Sequence, residues 1–172
     1  MSSGTKHIVE FTLIYNRYKA RVYNYVFRMT GDNDLTEDIV QNVFMKLFEN
    51  IESIKNKNSV AFWIFKTARN DLYKHFRKER VIRENSKIIE ESILRNNLSD
   101  VSEIYELKEI NNLVMRLLDE YPKEQKETYL LRESGGLSYN EIASVTEVEE
   151  KTVKSRLYDV RQKLIKQLSK VI

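Results

Sequence analysis

The sequence predicts an all-α protein made of two small helical domains. Apolar residues recur at steps of three and four along most of the chain, which is the spacing of amphipathic helices. The 172 residues include only four glycines and one proline, too few for the tight turns of a β-rich fold. Residues 81–101 have weaker periodicity and divide the helical segments into a group of three and a group of four. We therefore expect domains at residues 7–82 and 102–172, joined by a flexible linker at residues 83–101.

Three helices are predicted in the first domain. The first carries an apolar stripe over residues 11–29 and ends at Gly31, since glycine is a common helix terminator. The second helix covers residues 35–48. A polar loop at residues 49–59, with room for a short turn, separates it from a third helix at about residues 60–80.

Four helices are predicted in the second domain. Pro122 breaks the preceding helix and favours the start of a new one, which the Gly135-Gly136 pair then ends. Ser138 and Glu141 have the spacing of a capping box ahead of a short helix. The predicted helices occupy about residues 103–120, 123–134, 138–145 and 149–169. Within the linker, residues 87–94 are expected to form helix only transiently.

The composition argues against several classes of protein. The chain has no cysteine, which excludes disulfides and cysteine-based metal sites or nucleophiles. The sequence also lacks a Gly-rich phosphate loop, a metal-ligand cluster and a nucleophile motif, so we expect no enzyme, no cofactor, no metal and no small-molecule substrate. His7 has no partner nearby in sequence, and His75 is expected to be a surface or packing residue. No apolar run reaches the roughly 20 residues of a membrane span, and the N-terminus lacks a signal-peptide core, so a cytoplasmic protein is expected.

The clearest local pattern is a helix-turn-helix at residues 137–157. Ile142 and Ala143 of the short helix would pack against a second helix, which in this motif enters the major groove of DNA. From residue 150 to the C-terminus, seven basic residues stand against two acids, a balance that suits phosphate contacts. Lys154 and Ser155 lie early in this helix, where side chains meet base edges. Taken alone, the helix could also be an amphipathic element with a solvated basic face, which is the less favoured interpretation.

The second basic element is the predicted helix at residues 60–80. Between residues 61 and 80, six Lys or Arg residues oppose two acids. Helical spacing puts three cations, an amide and an aromatic ring on a common face: Lys66, Asn70, Tyr73, Lys74 and Arg77. Such a face suits single-stranded or distorted DNA, because cations meet phosphates while the ring and the amide meet unstacked bases. A plain solvated surface is the open alternative for this helix too.

Two blocks of the sequence resemble a known family. The first block is LTEDIVQNVFMKLF at residues 35–48 with FWIFKTARN at residues 62–70. The second is YPKEQKETYLLR at residues 121–132, with GLSYNEIA at residues 136–143 and TVKSRL at residues 152–157. In order and spacing these blocks are similar to those of bacterial RNA polymerase sigma factors, in the extracytoplasmic-function (ECF) group of the sigma-70 family. The resemblance implies a three-helix sigma-2 domain and a four-helix sigma-4 domain that carries the helix-turn-helix.

The resemblance also implies a function and a set of partners. An ECF sigma factor directs RNA polymerase core to promoters, recognises the −35 duplex, and melts and reads the −10 element, while the polymerase does the chemistry. The implied partners are the clamp helices of the largest polymerase subunit, promoter DNA and an anti-sigma factor, with no direct insertion into a membrane. The loop at residues 49–59 and the third helix would capture a flipped base, so a shaped polar pocket must offset the lost stacking.

Three sets of contact residues are implied by the matching positions. For the polymerase core they are Asp38, Gln41, Asn42, Phe44 and Met45. For the −10 DNA they are Lys66, Arg69, Asn70, Tyr73, Lys74 and Arg77. For the −35 DNA they are Arg132, Tyr139, Lys151, Thr152, Lys154, Ser155, Arg156, Tyr158 and Arg161. Helical spacing by itself also places Asp38, Gln41, Asn42 and Met45 on the exposed face of the second helix.

Several acids and one amide depart from the family pattern. Asn42 stands where an acid is common, and Asp159 stands where a base is frequent. Glu147 occupies the turn position that often holds glycine, and because it tolerates a positive φ poorly, a different turn shape is expected. Glu149 replaces the usual Ser or Thr cap, and Glu150 follows it. These acids oppose the approach of phosphates, so they affect the −35 half of the predicted function.

One other function stays open from the residues alone. The chain could be a two-domain helix-turn-helix transcriptional regulator that acts without core polymerase and uses its N-terminal helical domain to sense or dimerise. The basic face of the 60–80 helix argues against this, because a repressor that binds only duplex DNA has no need for it. Binding to single-stranded −10 DNA distinguishes the two functions.

Overall fold

A computed structural model of the chain describes residues 2–56, 59–86 and 105–171, with only the backbone described for residues 105 and 106. All regular structure in these residues is helical, and the chain forms two compact units, Met1–Asn96 and Asn97–Ile172. The all-α prediction, with three helices followed by four, is confirmed. The transient helix predicted at residues 87–94 and the start of a helix at residue 103 lie outside the described residues.

The described residues of the first unit form three helices. They are α1 (Ser3–Thr30), α2 (Asn33–Asn50) and α3 (Val60–Asn85), with a 3-10 turn at Ile51–Ser53 in the predicted loop. Gly31 ends α1 as predicted, at φ 68°, and its N–H donates to the Phe27 carbonyl at 2.7 Å. The Asp32 side chain then caps α2 by accepting from the Leu35 N–H at 3.2 Å. The tight reversal packs α1 and α2 side by side.

The core of the first unit joins all three helices. Tyr25 of α1 and Phe65 of α3 are fully buried, and their ring centroids lie 5.9 Å apart. Each fully buried large side chain contributes about 1.5–3 kcal/mol, so tertiary packing holds these helices in place. Tyr18 shares a groove with Val60, the first residue of α3. Since Tyr18 lies beside the start of α3 and Tyr25 lies further along it, α1 and α3 run in the same direction.

Two helix ends differ from the sequence prediction. α1 begins at Ser3, well before its apolar stripe, because the Ser2 side chain accepts from the Thr5 N–H at 3.4 Å and caps the helix. α3 continues to Asn85, beyond both the predicted end at residue 80 and the predicted domain boundary at residue 82. An ion pair between Arg80 and Glu84 at 3.0 Å supports its final turns, and Ser86 marks the end.

The second unit contains α4 (Tyr105–Asp119), α5 (Lys123–Glu133), α6 (Tyr139–Thr146) and α7 (Glu150–Leu168). Pro122 is the residue before α5, and its carbonyl accepts the N–H groups of the first turn, as predicted. The glycine pair ends α5, with Gly136 at φ 66°. The fully buried apolar side chains of this unit are aliphatic and include Leu118, Leu130, Leu131, Leu137, Ile142, Val145, Val153 and Val160. They pack α5, α6 and α7 around one small core.

Candidate nucleic-acid and partner interfaces

The exposed side of α3 carries the predicted DNA-binding residues. Asn70, Lys74 and Arg77 are exposed, whereas Lys66, Arg69 and Tyr73 are half-buried. The guanidinium of Arg69 lies 4.3 Å from the centroid of the Tyr73 ring, within cation–π distance. The structure therefore brings the predicted cations, amide and ring together on one helix surface.

The acids of α3 are paired within the first unit. Asp71 faces α2, where Asn42 Nδ2 donates to its Oδ2 at 2.6 Å and Lys46 Nζ donates to its Oδ1 at 3.2 Å. Glu79 pairs with His75, and Glu84 pairs with Arg80, each four positions earlier on the helix. With seven Lys or Arg residues against three acids, and with Asp71 and Glu84 each bonded to a cation, the surface of the helix is predominantly cationic.

The loop between α2 and α3 is anchored to the start of α1 by a contact that the sequence did not predict. His7 Nε2 lies 3.1 Å from the Phe48 carbonyl oxygen, and Nδ1 lies 3.3 Å from Glu52 Oε1. The His7 ring also meets the Phe48 ring edge-on, at 4.8 Å between centroids. His7 and its partners are more than forty residues apart in sequence, so no local pattern could reveal the contact. Residues 57 and 58 of the loop lie outside the described residues.

Four of the five residues predicted to bind the polymerase core lie on the outer face of α2, and the fifth is buried. Asp38, Gln41, Asn42 and Met45 are exposed, as helical spacing predicted, and Met45 keeps 57% of its surface accessible. Phe44, predicted with them, keeps only 3%. Its ring packs against Tyr15, 4.9 Å between centroids, because its position on the helix points it at α1. Phe44 is therefore a core residue that supports this face from beneath.

A groove of about 860 Å³ lies between α1 and α2, next to the outer face of α2. Its walls include the rings of Phe11, Tyr15 and Phe48, and Gln41 and Met45 lie at its edge. Phe11 and Phe48 meet edge-on at 5.2 Å. Phe48 keeps 45% of its surface accessible, so part of this aromatic cluster is open to solvent.

The helix-turn-helix has the predicted layout. The Ser138 hydroxyl accepts from the Glu141 N–H at 3.1 Å, and the Glu141 carboxylate accepts from the Ser138 N–H at 2.7 Å, which confirms the capping box. Glu147, in the turn, adopts φ 59° and ψ 41°. The expectation of a different turn shape is therefore wrong: the chain keeps the left-handed turn and places a glutamate in it. Because the Glu147 and Val148 N–H groups both reach the Ala143 carbonyl, the tight end of α6 enforces this conformation.

The recognition helix α7 displays most of the predicted −35 contacts. Lys151, Lys154, Ser155 and Tyr158 are exposed, whereas Thr152 and Arg156 are half-buried. Lys154 is engaged by an acid of its own helix, with Nζ 3.2 Å from Glu150 Oε1. Glu149 precedes the helix without a side-chain cap.

The remaining three predicted −35 residues form a cluster that joins α5, α6 and α7. Arg132 Nη1 donates to the Leu137 carbonyl at 2.8 Å, and its guanidinium lies 5.1 Å from the Tyr139 ring centroid. Arg161 donates to Glu133 Oε1 at 3.0 Å and to the Tyr139 hydroxyl at 3.5 Å. The hydrogen bond to Glu133, followed by that to Tyr139, raises the pKa of Arg161 above its ordinary value. Arg132, Tyr139 and Arg161 therefore hold the motif together, and Glu133 is a member that the sequence did not predict.

Two further features bear on other kinds of site. Among the described residues, no three His, Cys, Asp or Glu side chains come together as a metal site. None of the helices in residues 2–56, 59–86 and 105–171 combines the length and apolar character that crossing a membrane requires.

Comparison with family models divides the chain in the same two parts. Residues 14–81 match the family described as sigma-70 region 2, and residues 111–164 match the family described as sigma-70 region 4. The first match covers α2 and most of α1 and α3, and the second covers α5, α6 and most of α4 and α7.

Curated proteins match over most of the chain. The ECF RNA polymerase sigma factor SigM of Bacillus subtilis (strain 168) is 30% identical over 151 residues, which cover 88% of this chain and 90% of that protein. The ECF RNA polymerase sigma-E factor of Escherichia coli (strain K12) is 26% identical over 162 residues, covering 88% of this chain and 83% of that protein.

Solved structures share the fold. The sigma factor RpoE from Bartonella quintana, solved with the anti-sigma factor NepR, matches with a TM-score of 0.69 at 23% identity, covering 93% of this chain and 94% of that chain. CnrH, solved with the cytosolic domain of CnrY, matches with a TM-score of 0.64 at 19% identity, covering 92% and 87%.

Proposed function

The chain belongs to the extracytoplasmic-function sigma factors of the sigma-70 family and directs RNA polymerase core to promoters, and on that premise we propose which of its surfaces bind the core, the −10 element and the −35 element. We assign the sigma-2 domain to residues 7–82, the linker to residues 83–101 and the sigma-4 domain to residues 102–172. Helix α3, which ends at Asn85, extends a few residues into that linker.

The −10 element binds to α3 and to the loop before it. Lys66, Arg69, Lys74 and Arg77 meet phosphates, and Asn70 with Tyr73 meets the unstacked bases. The observation that carries this assignment is the exposed amide of Asn70 among these cations, on a helix whose own acids are paired. Bases held against such a surface gain stacking and hydrogen bonds that offset the cost of leaving the duplex.

The −35 element binds to α7. Lys151, Lys154, Ser155 and Tyr158 are exposed along this helix and face the major groove, with Thr152 and Arg156 at the margins. Arg132, Tyr139 and Arg161 orient α7 through their cluster with Glu133 and contact phosphates from its edge. This gives them two roles, of which the first is visible in their hydrogen bonds.

The polymerase core binds to the outer face of α2. Asp38, Gln41 and Met45 are exposed there, and this mixture of a charge, an amide and a thioether suits a partner helix. Asn42 contributes from the same face while it remains bonded to Asp71, and Phe44 supports the face from the core.

The protein acts by binding alone, in the cytoplasm, where the polymerase forms the phosphodiester bonds. We also propose that an anti-sigma factor holds it, because RpoE of Bartonella quintana, which shares the fold, was solved with such a partner. An anti-sigma factor that covers α2 would prevent assembly of the holoenzyme and so inhibit transcription, and excess core would restore it.

The test is binding of the holoenzyme to a promoter fork with a duplex −35 element and an unpaired −10 strand. Asn70→Ala should weaken fork binding about 5- to 10-fold, the loss expected for one base contact, and leave binding to a −35 duplex unchanged. Asn85→Ala is the matched control, since Asn85 is also an exposed asparagine of α3. Equal fork binding by wild type and Asn70→Ala, or equally tight binding without core, would contradict the proposal.

A further inference from the structure

The charge of the first unit is divided by helix. α1 carries five Lys or Arg residues and a single acid, and α3 carries seven against three. α2 has the opposite balance, with one Lys and four acids. From residue 11 to residue 31 the chain contains no acid at all. The proposed function uses the cations of α3 and the exposed face of α2, but it gives no role to the cations of α1.

Three of the α1 cations lie on the flank of the helix that adjoins α3. Arg17 lines a groove together with Tyr18 and Val60, the residue that begins α3. The guanidinium of Arg21 lies 5.0 Å from the Tyr18 ring centroid, one turn further on. Arg28 follows Arg21 by seven residues, two turns along the same flank. We call Arg17, Arg21 and Arg28 the α1 arginine row.

The fourth cation of this stretch lies on the other flank. The Nζ of Lys19 is 5.0 Å from the centroid of the Tyr15 ring, which itself packs against Phe44 of α2. The basic charge of α1 is therefore sorted, with the arginine row toward α3 and Lys19 toward α2.

The α1 arginine row and the basic face of α3 form one surface. Arg69 is one turn beyond Phe65, the residue that packs on Tyr25 of α1. Lys66 and Tyr73 lie on the same side of α3 at helical spacing. Because the two helices run in the same direction and Tyr25 packs on Phe65, Arg17 and Arg21 lie level with the start of α3, and Arg28 lies level with Lys66 and Arg69. From Arg17 to Arg28 the row is about 16 Å long, the length of several nucleotides.

We propose that the α1 arginine row is a second phosphate-binding track, which holds the backbone of the DNA strand that α3 binds. The inference rests on the proposed role of α3. Arginine suits this task because its guanidinium matches the geometry of phosphate oxygens, and the Tyr18 ring orients Arg21. The pairing of a basic track with a base-contacting face is the arrangement that single-stranded nucleic acid requires.

The test measures holoenzyme binding to the promoter fork over a series of salt concentrations. Each phosphate contact to a single strand contributes ~0.7 to the slope of log K against log salt. Arg17→Gln combined with Arg21→Gln removes two such contacts and should lower the magnitude of the slope by ~1.4. If the variant and the wild type bind equally at ~1 M salt, this change in slope makes the variant about 10- to 30-fold weaker than the wild type at ~0.1 M. Lys19→Gln, with the same charge change on the opposite flank of α1, should keep the wild-type affinity and slope.

A charge-preserving pair separates electrostatics from packing. Arg17→Lys with Arg21→Lys keeps both charges, so it should retain most of the affinity and the wild-type slope. If the lysine pair loses as much affinity as the glutamine pair, the residues act through the packing of Tyr18 and the inference is wrong. It is also wrong if the glutamine pair binds the fork like wild type, or if the pair weakens binding to core polymerase instead, which would make the row a protein contact.

The outcome distinguishes this inference from the function on which it rests. Wild-type holoenzyme that fails to bind the fork would overturn the proposed function itself. Wild-type binding that depends on Asn70 but is indifferent to Arg17 and Arg21 would overturn only the arginine row.

Discussion

Glu150 should weaken the affinity of the recognition helix for DNA, because it holds Lys154 in an ion pair at 3.2 Å. Both side chains are about half exposed, so the pair itself contributes only about 0.2–1 kcal/mol. Glu150→Gln releases the lysine and removes a negative charge that repels phosphates. We expect about 3- to 10-fold tighter binding to a −35 duplex and a salt slope steeper by as much as ~0.9, the value of one phosphate contact.

The same substitution should make the second unit less stable. An acid in the first turn of a helix favours the positive end of the helix dipole by about 0.3–1 kcal/mol, and Glu150 is such an acid in α7. Tighter binding and a lower free energy of unfolding should therefore appear together in one variant.

Glu124→Gln is the matched control for Glu150→Gln, because Glu124 is an exposed acid in the first turn of α5. It should lose similar stability and leave DNA affinity unchanged. Fluorescence anisotropy of a labelled −35 duplex, titrated with the full-length chain at several salt concentrations, measures both affinity and slope. The explanation fails if Glu150→Gln binds with wild-type affinity and slope, or if Glu124→Gln gains as much.

Three other substitutions test features of the fold. Glu147→Gly should raise the free energy of unfolding of the second unit by about 1 kcal/mol, since a residue at φ 59° is strained unless it is glycine. Denaturant titration measures this gain, and Glu147→Ala, the control, should not show it. Asn42→Asp should destabilise the first unit by about 1 kcal/mol, because it places a second carboxylate beside Asp71. Adding Asp71→Asn should recover this stability, whereas a double variant that loses the sum of the two single losses would contradict the pairing. The pKa of Tyr121 is raised mainly by burial of its hydroxyl and, to a smaller extent, by the negative charge of Glu120. The same hydroxyl donates to Gln167 at 2.7 Å. Because burial and Glu120 favour the neutral phenol in the folded state, this stability should be complete below the ordinary pKa of 10.0 and be lost as the pH rises through the raised pKa. Tyr121→Phe should therefore remove that alkaline loss in thermal unfolding, and an equal loss in both proteins would refute it.

Local signals carried most of the fold prediction. Gly31, Pro122 and the Ser138 capping box act through neighbours within four residues, so their effect is readable along the chain. The end of α3 was predicted too early, because its last turns depend on the Arg80 ion pair and no strong breaker precedes Asn85.

The site was predicted less completely, since its decisive contacts join distant residues. Asn42 and Asp71 are 29 positions apart, and Arg161 and Glu133 are 28 apart. No periodicity reveals such pairs, so sequence reasoning identified Arg161 only as a DNA contact and missed its structural role. Glu147 shows a different limit: the hydrogen bonds of the Glu147 and Val148 N–H groups to the Ala143 carbonyl hold the turn shape, against the preference of the residue.

The central claim is that this chain directs core polymerase to promoters through two DNA-binding surfaces. Transcription in vitro from genomic fragments, with core polymerase and mapped start sites, tests it most directly. We predict that core alone yields no specific transcripts, and that added protein yields start sites downstream of a shared pair of −35 and −10 elements. Asn70→Ala should impair melting at the −10 element, and Lys154→Ala should impair recognition of the −35 element. Binding of the chain to the same DNA without core, with no transcripts when core is added, would contradict the claim.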